Sequence, residues 1–413
     1  MSFQQGLSGL NGASKQLETI GNNIANSNTV GFKSAVTQFS DVYANSLSGT
    51  SGLGTAGIGT RVSQIAQQFS QGNVTASNSA LDMAINGGGF FRLTNGGAVS
   101  YARNGQFQLN KEGYIVSPSG GQLTGFGVDS QGKIVTGNPT ELRITTADLP
   151  PKFTTEIEAQ LNLDSRVTPI AAATAFDAAN PATYHNATSA TVYDTLGNPH
   201  VVQTFYRKID APANTWEVYG TCATATPAGS VTAAPAVMTF NSSGALTGVL
   251  PAADQISIPL ANGAATPLVI DLDFAGTTQF GSSFGVNSLV QDGYASGRLS
   301  GFTAGSDGVI TGRYTNGKTA TLGQVVLANF RNPNGLQPLG NNEWAESAAT
   351  GEALVGTPDS GSLGLIQSSA TEDSNVDLTA ELVNMITAQR VFQANAQTIK
   401  TQDQILQTLV NLR

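Results

Sequence analysis

All 16 prolines of this 413-residue chain lie between Pro118 and Pro358. Proline lacks the backbone donor that a helix interior needs and collides with the turn before it, so long helices are confined to the two ends. Between them, Asn-Gly, Asp-Gly and Pro-containing clusters return at intervals of about ten residues, the spacing of short strands joined by turns. Any fold of this chain must therefore place two helical ends around a β-rich middle.

At the first end, Phe3, Leu10, Leu17 and Ile24 stand seven residues apart, with Leu7 and Ile20 beside the line. Ser2 and Gln5 have capping-box spacing, which starts the helix at Phe3. At the other end the line runs Leu378, Met385, Phe392, Ile399 and Leu406, preceded by Ser374, Asn375 and Asp377 as candidate N-caps. A helix from Leu378 to Leu412 would be about 50 Å long. A straight helix drifts ~20° per heptad against such a line, so left-handed supercoiling is expected. Four residues after each of the first four positions come Leu382, Gln389, Ala396 and Asp403. A two-stranded zipper would be apolar throughout that second seam. One apolar stripe with small, uncharged flanks suits several sliding neighbours better than one fixed partner.

The middle yields three hairpin regions. "SYARNGQFQLNKEGYIV" (100–116) reads as two short hairpins, with Asn104-Gly105 as a type I′ turn. "SATVYDTLGNPHVVQTFYRK" (189–208) is a hairpin followed by a strand around Trp216, and 307–330 turns at Asn316-Gly317.

Two stretches imitate nucleotide sites. "GRYTNGKT" (312–319) matches the Walker A pattern, but a P-loop requires a helix after the glycine loop, and "ATLGQVVLANF" is strand-like. "GLGTAG" (52–57) has no strand before it, no helix directly after it and no acidic residue at the expected distance, so it reads as a loop. His185 and His200, the only histidines, are expected at the surface or in loops, with no Cys/His cluster to hold zinc. No nucleophile elbow marks a hydrolase, although a spatial Ser-His-Asp arrangement stays open. No catalytic residue, cofactor site or metal site is expected.

A net charge of −9, from 19 basic and 28 acidic residues, argues against nucleic acid or an anionic membrane as partner. The single cysteine, Cys222, excludes an intramolecular disulfide and leaves the compartment open. No signal peptide is expected, since the start "MSFQQGLSGLNG" lacks a basic region and a continuous apolar run, and no apolar run reaches the ~18 residues of a membrane span.

The first helix ends in "NNIANSNTVGFK" (22–33), a stretch rich in asparagine, which is a poor residue for a helix interior. Asn26 and Asn28 are expected to take left-handed conformations that stop the helix, Gly31 permits a reversal, and Asn22 and Asn23 offer uncharged hydrogen bonds to neighbours. With Phe32, these residues read as a joint between the helix and the next domain.

"SGLNGASKQLETIGNNIANSNTVGFK" (8–33) and "SNVDLTAELVNMITAQRVFQANAQTIKTQDQILQTLVNLR" (374–413) closely resemble the two end signatures of the bacterial flagellar axial proteins of the rod and hook. "GFKSAVTQFSDVYANSL", "LDMAINGGGFF" and "YARNGQFQLNKEGYIV" are similar to the parts that follow in hook subunits, whose extra central β region is absent from the shorter distal rod proteins. The stretch from about 148 to 285 carries no motif of its own.

The resemblance implies a multidomain fold: terminal helices forming a coiled-coil-like inner domain, plus two mainly-β domains of sandwich or barrel type. Residues 1–32 and 371–413 would form an inner tube and 33–72 a joint. Residues 73–147 and 286–370 would form a middle β layer, and 148–285 an outer one. It also implies a homopolymer around a central channel, in contact with rod, hook-cap and hook–filament junction proteins. Secretion would run through the flagellar type III export apparatus, directed by an uncleaved N-terminal region, to an extracellular position. The assembly interface would comprise Phe3, Leu7, Leu10, Leu17, Ile24, Leu378, Leu382, Met385, Phe392, Ile399 and Leu406. Both ends are expected to be largely unfolded in the monomer and to order on assembly. The alternatives are another axial subunit, such as a distal rod variant, or a secreted adhesin-like binding module.

Overall fold

The computed structural model describes residues 2–42, 57, 59–129, 131–145, 147–227, 235–250 and 255–411. It divides into two compact units, one of Met1–Thr146, Gly301–Arg313 and Thr319–Arg413, the other of Ala147–Ser300 and Tyr314–Lys318.

The first unit holds both long helices, α1 (Ser2–Ala25) and α2 (Leu378–Asn411). Leu412, expected to end the second helix, lies outside the described residues. Asp377 caps α2, its Oδ1 accepting the N–H groups of Thr379 (2.9 Å) and Ala380 (3.1 Å). The helices run antiparallel, since Gly6 meets Ile399, Gly9 meets Asn395 and Asn23 meets Glu381. Helical glycine is unfavourable by about 1 kcal/mol against alanine, so α1 uses it where its backbone must come close to a neighbour. A Cβ on Gly9 would stand 2.8 Å from the Asn395 amide, and one on Gly6 3.0 Å from Ile399 Cγ1.

Residues 33–72, expected as a joint, carry a two-stranded antiparallel ribbon, β1 (Ala35–Val42) and β2 (Gly59–Gln67). It lies along α1: the Phe39 ring fills the space over Gly12, Thr37 Oγ1 donates to Thr19 Oγ1 at 2.9 Å, and Asn23 pairs with the Ala35 backbone. The "GLGTAG" loop falls between the two strands, and its residues 52–56 lie outside the described residues.

The body of the first unit is a sheet in which Thr319–Val325, Gln122–Phe126, Phe90–Asn95, Ala98–Ala102, Glu343–Ala345 and Gln337–Gly340 neighbour one another in that order. Phe90, Tyr101, Phe330 and Trp344 pack edge to face beneath it. The Asn104-Gly105 expectation fails. Ala98–Ala102 pairs with Phe90–Asn95, and Gln108–Leu109 pairs separately with Ile115–Val116, so no hairpin turns there. Gly105 instead bonds Met83 through its carbonyl (2.9 Å) and is held so close that a side chain would strike the Met83 backbone.

The "GRYTNGKT" stretch is a hairpin between Val309–Tyr314 and Thr319–Val325. Gly317 N–H donates to the Tyr314 carbonyl and only Gly317 takes a positive φ, 76°, so the turn is of type I with a glycine bulge rather than a phosphate loop.

The second unit is a β-sandwich. One sheet orders Gln255–Ile258, Leu268–Asp273, Glu156–Asn162 and Gly285–Gln291, and the other runs Asn186–Tyr193, Pro199–Ile209, Thr215–Cys222, Ala236–Phe240 and Leu246–Leu250. Alternating residues of both sheets meet in the core, Ile157, Ile256 and Ile270 against Val192, Val202 and Cys222, and Leu161 and Phe274 against Tyr206 and Trp216. Among the described residues no His/Cys/Asp/Glu group could hold a metal ion, and no helix is long and apolar enough to cross a membrane.

Candidate assembly faces and joint

The seven-residue line of α2 turns toward α1 of the same chain. Met385, Phe392 and Ile399 are half-buried, while Leu378, Leu382 and Leu406 (54% exposed) stay open. On α1, Ala13 and Ile20 are buried and Leu10, Leu17 and Ile24 half-buried, whereas Phe3 (48%) and Leu7 are exposed. The expected interface residues thus split between a pairing within the chain and an open remainder.

A second face of α2 was not expected from the sevenfold line. Val383, Thr387, Val391, Ala394, Thr398, Thr401, Ile405 and Thr408 follow the 3.6-residue period and are all exposed. Ile386 is exposed beside it, and Val410 (73%) is exposed on the opposite side of the helix, in line with Phe392 and Ile399. Counting at 100° per residue instead of in sevens would have found it. Its threonines donate to their own helix: Thr387 to Val383 O (3.0 Å), Thr398 to Ala394 O (2.9 Å), Thr401 to Gln397 O (2.9 Å) and Thr408 to Gln404 O (2.8 Å).

At the joint the asparagines act differently from expectation. Neither Asn26 nor Asn28 has a positive φ. Asn26 ends α1 through its N–H, which reaches the carbonyls of Asn22 (3.1 Å) and Asn23 (3.2 Å), and through its amide, which donates to Asn22 O at 3.0 Å. Local hydrogen bonding thus replaces the left-handed stop. Asn22 and Asn28 are exposed. Asn23 is buried and reads the backbone of β1 as another strand would, donating to Ala35 O (2.8 Å) and accepting from Ala35 N (2.9 Å), while also donating to Glu381 (3.0 Å). The reversal at Gly31 is as expected. Its φ is 70°, and a Cβ there would stand 2.5 Å from Asn104 N. Phe32 is half-buried, its N–H on the Thr29 carbonyl.

Beside Gly31 lies a charged cluster that no sequence motif announced. The Glu372 carboxylate is fully buried between Lys33 Nζ (2.5 Å) and Arg103 Nη1 (3.2 Å), both also buried. Lys33 donates as well to Ser70 O, Gly72 N–H donates to Glu372, Arg103 Nη2 reaches Gly87 O, and Gly31 N–H bonds the Glu372 carbonyl at 2.7 Å. The Arg103 guanidinium lies over the Phe90 ring. Burial pulls the Lys33 ammonium below its ordinary range, with Glu372 opposing. One carboxylate therefore ties the end of α1, the chain entering α2 and the sheet of this unit together.

The second unit has its own buried polar cluster, where His200 corrects the expectation of a surface residue. Its Nε2 pairs with Asp194 Oδ2 at 3.0 Å and its Nδ1 with Thr224 Oγ1 at 2.6 Å, and Thr224 Oγ1 lies 3.2 Å from the buried Cys222 Sγ. The hydroxyl here belongs to Thr224, so this cluster is not the Ser-His-Asp arrangement that the sequence left open. Asp194 also accepts from Asn262 (2.6 Å) and from Leu196 N and Asn198 N, so it closes the 194–198 turn and binds the 262 loop to it.

These groups predict a stability window. Burial opposes ionisation of Asp194, but hydrogen bonds from Asn198 and His200 outweigh it and hold the carboxyl well below the carboxylate range. A depressed carboxyl stabilises above its unfolded pKa, about 3.9, and loses that contribution as pH falls below it. Burial pushes the Tyr206 and Tyr219 phenols up to about 12. They stabilise below their unfolded value of about 10 and lose this as pH rises through it. With Trp344→Phe leaving Trp216 as reporter, the melting temperature of the second unit should hold between about pH 5 and 9 and fall on both sides. An unchanged melt at pH 11 would contradict the assignment.

Four family signatures map onto these parts. Residues 3–33 match the flagella basal body rod protein family and 84–168 the flagellar hook protein FlgE/F/G D1 domain. Residues 162–294 match the flagellar basal body protein FlaE D2 domain, and 367–412 the flagellar basal body rod FlgEFG protein C-terminal family. The 162–294 match covers most of the stretch, about 148 to 285, in which no motif was legible. The chain is 41% identical over 420 residues to the flagellar hook protein FlgE of Escherichia coli (strain K12), covering 100% of both chains. It is 31% identical over 453 residues to that of Borreliella burgdorferi, covering 100% of this chain and 99% of the other. The crystal structure of Helicobacter pylori flagellar hook protein FlgE2 shares the fold, with a TM-score of 0.52 at 12% identity over 71% of this chain and 99% of that one. With whole-length relatives at this identity and signatures from both ends and both β parts, the chain belongs to the flagellar hook protein FlgE family.

Proposed function

We infer that this chain, a structural subunit of the flagellar hook, polymerises through the open faces of α1 and α2 into a flexible tube that passes torque from rod to filament. The observation that carries this reading is the row of exposed apolar residues on α2, which a solitary chain leaves in water. In the polymer, 1–32 and 371–413 would form the inner tube, 33–72 the joint, 73–147 with 286–370 the middle layer and 148–285 the outer layer. Ends of the polymer would meet rod, cap and junction proteins. Subunits would leave the cell through the flagellar export apparatus with the first residues retained, and the assembled protein would have no catalytic role.

Electron microscopy of the purified chain under polymerising conditions tests the assembly. Curved tubes are expected, and failure to form any polymer would refute it. Limited proteolysis tests the ordering of the ends. Cleavage within the first and last thirty or so residues should be rapid in the monomer and suppressed in the polymer, because ordering there draws on interface contacts. Equal protection in both states would rule out order on assembly.

A further inference from the structure

A cleft of about 560 Å³ opens in the first unit between the joint and the sheet. Asn26 and Thr29 of the joint form one wall, the 117–119 turn a second and the tip of the Gln337–Ala345 hairpin a third. That tip is a two-residue type I′ turn, Asn341 (φ 54°) and Asn342 (φ 59°), between the paired Gly340 and Glu343. Asn342 Nδ2 donates to Val30 O at 3.0 Å, which fixes the tip against the joint, and the exposed Asn341 amide has no partner among the described residues.

Glu343 is the one ionisable residue of the lining. Its Oε2 accepts from Ser100 Oγ at 2.8 Å and its Oε1 from Ser119 Oγ, and it has no ion-pair partner among the described residues. A carboxylate has about four acceptor sites, so two remain open beside the free Asn341 amide. A fixed carboxylate surrounded by neutral amides and hydroxyls is complementary to an ammonium or guanidinium group. The chain as a whole carries −9, so copies brought together repel unless cations are placed against carboxylates.

We propose that this cleft is a socket for a lysine or arginine side chain of a second copy of the chain. The inference rests on the assembly reading above, and a free small ligand as the occupant would overturn it.

The test uses the full-length chain. Glu343→Gln keeps the size and the serine contacts and removes the charge, so the concentration needed for polymerisation should rise about fivefold at low salt, with the difference narrowing as salt screens the pair. Glu343→Lys should block polymerisation while the monomer's circular dichroism is unchanged. Charge reversal of one exposed cation, tried in turn at Lys111, Lys133, Arg331 and Lys400, should restore it. Both Glu343 variants polymerising as wild type would overturn the proposal, and so would failure of every reversal to rescue Glu343→Lys. Wild-type chain that formed no polymer would sink the assembly reading instead. The socket would then be decided in the monomer by N-acetyl-arginine methylamide, which should shift the Ser119 and Asn341 amide resonances in wild type and not in Glu343→Gln.

Discussion

Glu372→Ala is expected to destabilise the first unit by about 3–5 kcal/mol, the cost of leaving buried charge uncompensated. Two cations, Lys33 and Arg103, would then face each other with no anion between them, and Arg103 Nε is already buried with no hydrogen-bond partner among the described residues. Gly72 N–H would lose its acceptor as well, loosening the chain next to α2. Thermal unfolding followed at Trp344, with Trp216→Phe silencing the second unit, should show the whole effect, and a change under about 1 kcal/mol would contradict it. A second variant separates charge from contact. Lys33→Met, Arg103→Met and Glu372→Leu together remove every charge and should recover most of the loss, since hydrophobic replacement of a buried ion cluster is often neutral or stabilising.

Val383→Asp with Ile386→Asp should leave the monomer folded and abolish its polymerisation. Both side chains are exposed in the single chain, so neither contributes core packing there. If each is buried between copies, losing it removes about 1.5–3 kcal/mol, and together they raise the required concentration roughly 10²- to 10⁴-fold. Sedimentation of polymer from monomer reads this directly. Polymer yield within threefold of wild type would show that this face of α2 stays in solvent.

Much of this architecture was legible because the signals are local. Proline placement, the seven-residue lines and the turn residues of 189–208 and 307–330 each act within a few residues of where they stand. The β1–β2 ribbon was missed because its exposed residues do not alternate cleanly and its support comes from α1, through Thr19 and Asn23. Asn104-Gly105 misled for a related reason: the dipeptide favours a hairpin turn, but close packing against Gly31 and Met83 leaves no hairpin there, and Asn104 Oδ1 instead accepts the Gln106 N–H at 3.0 Å. Lys33, Arg103 and Glu372 are scattered along the chain, and nothing in their neighbours distinguishes them from surface charges until the sheet brings them together. The interface residues were only half legible. Periodicity identifies an apolar stripe, but whether it meets α1 of its own chain or another copy depends on tertiary placement.

The back-bonded threonines of α2 bear on friction. Their hydroxyl protons are spent within the helix, so this face offers methyl groups, and dispersion between methyls has no preferred angle. A neighbour crossing a row of free donors would advance by breaking and remaking bonds in jumps, each releasing heat. Across methyls it would glide on a nearly level landscape, and a bent shaft strained once per revolution would return what it absorbs.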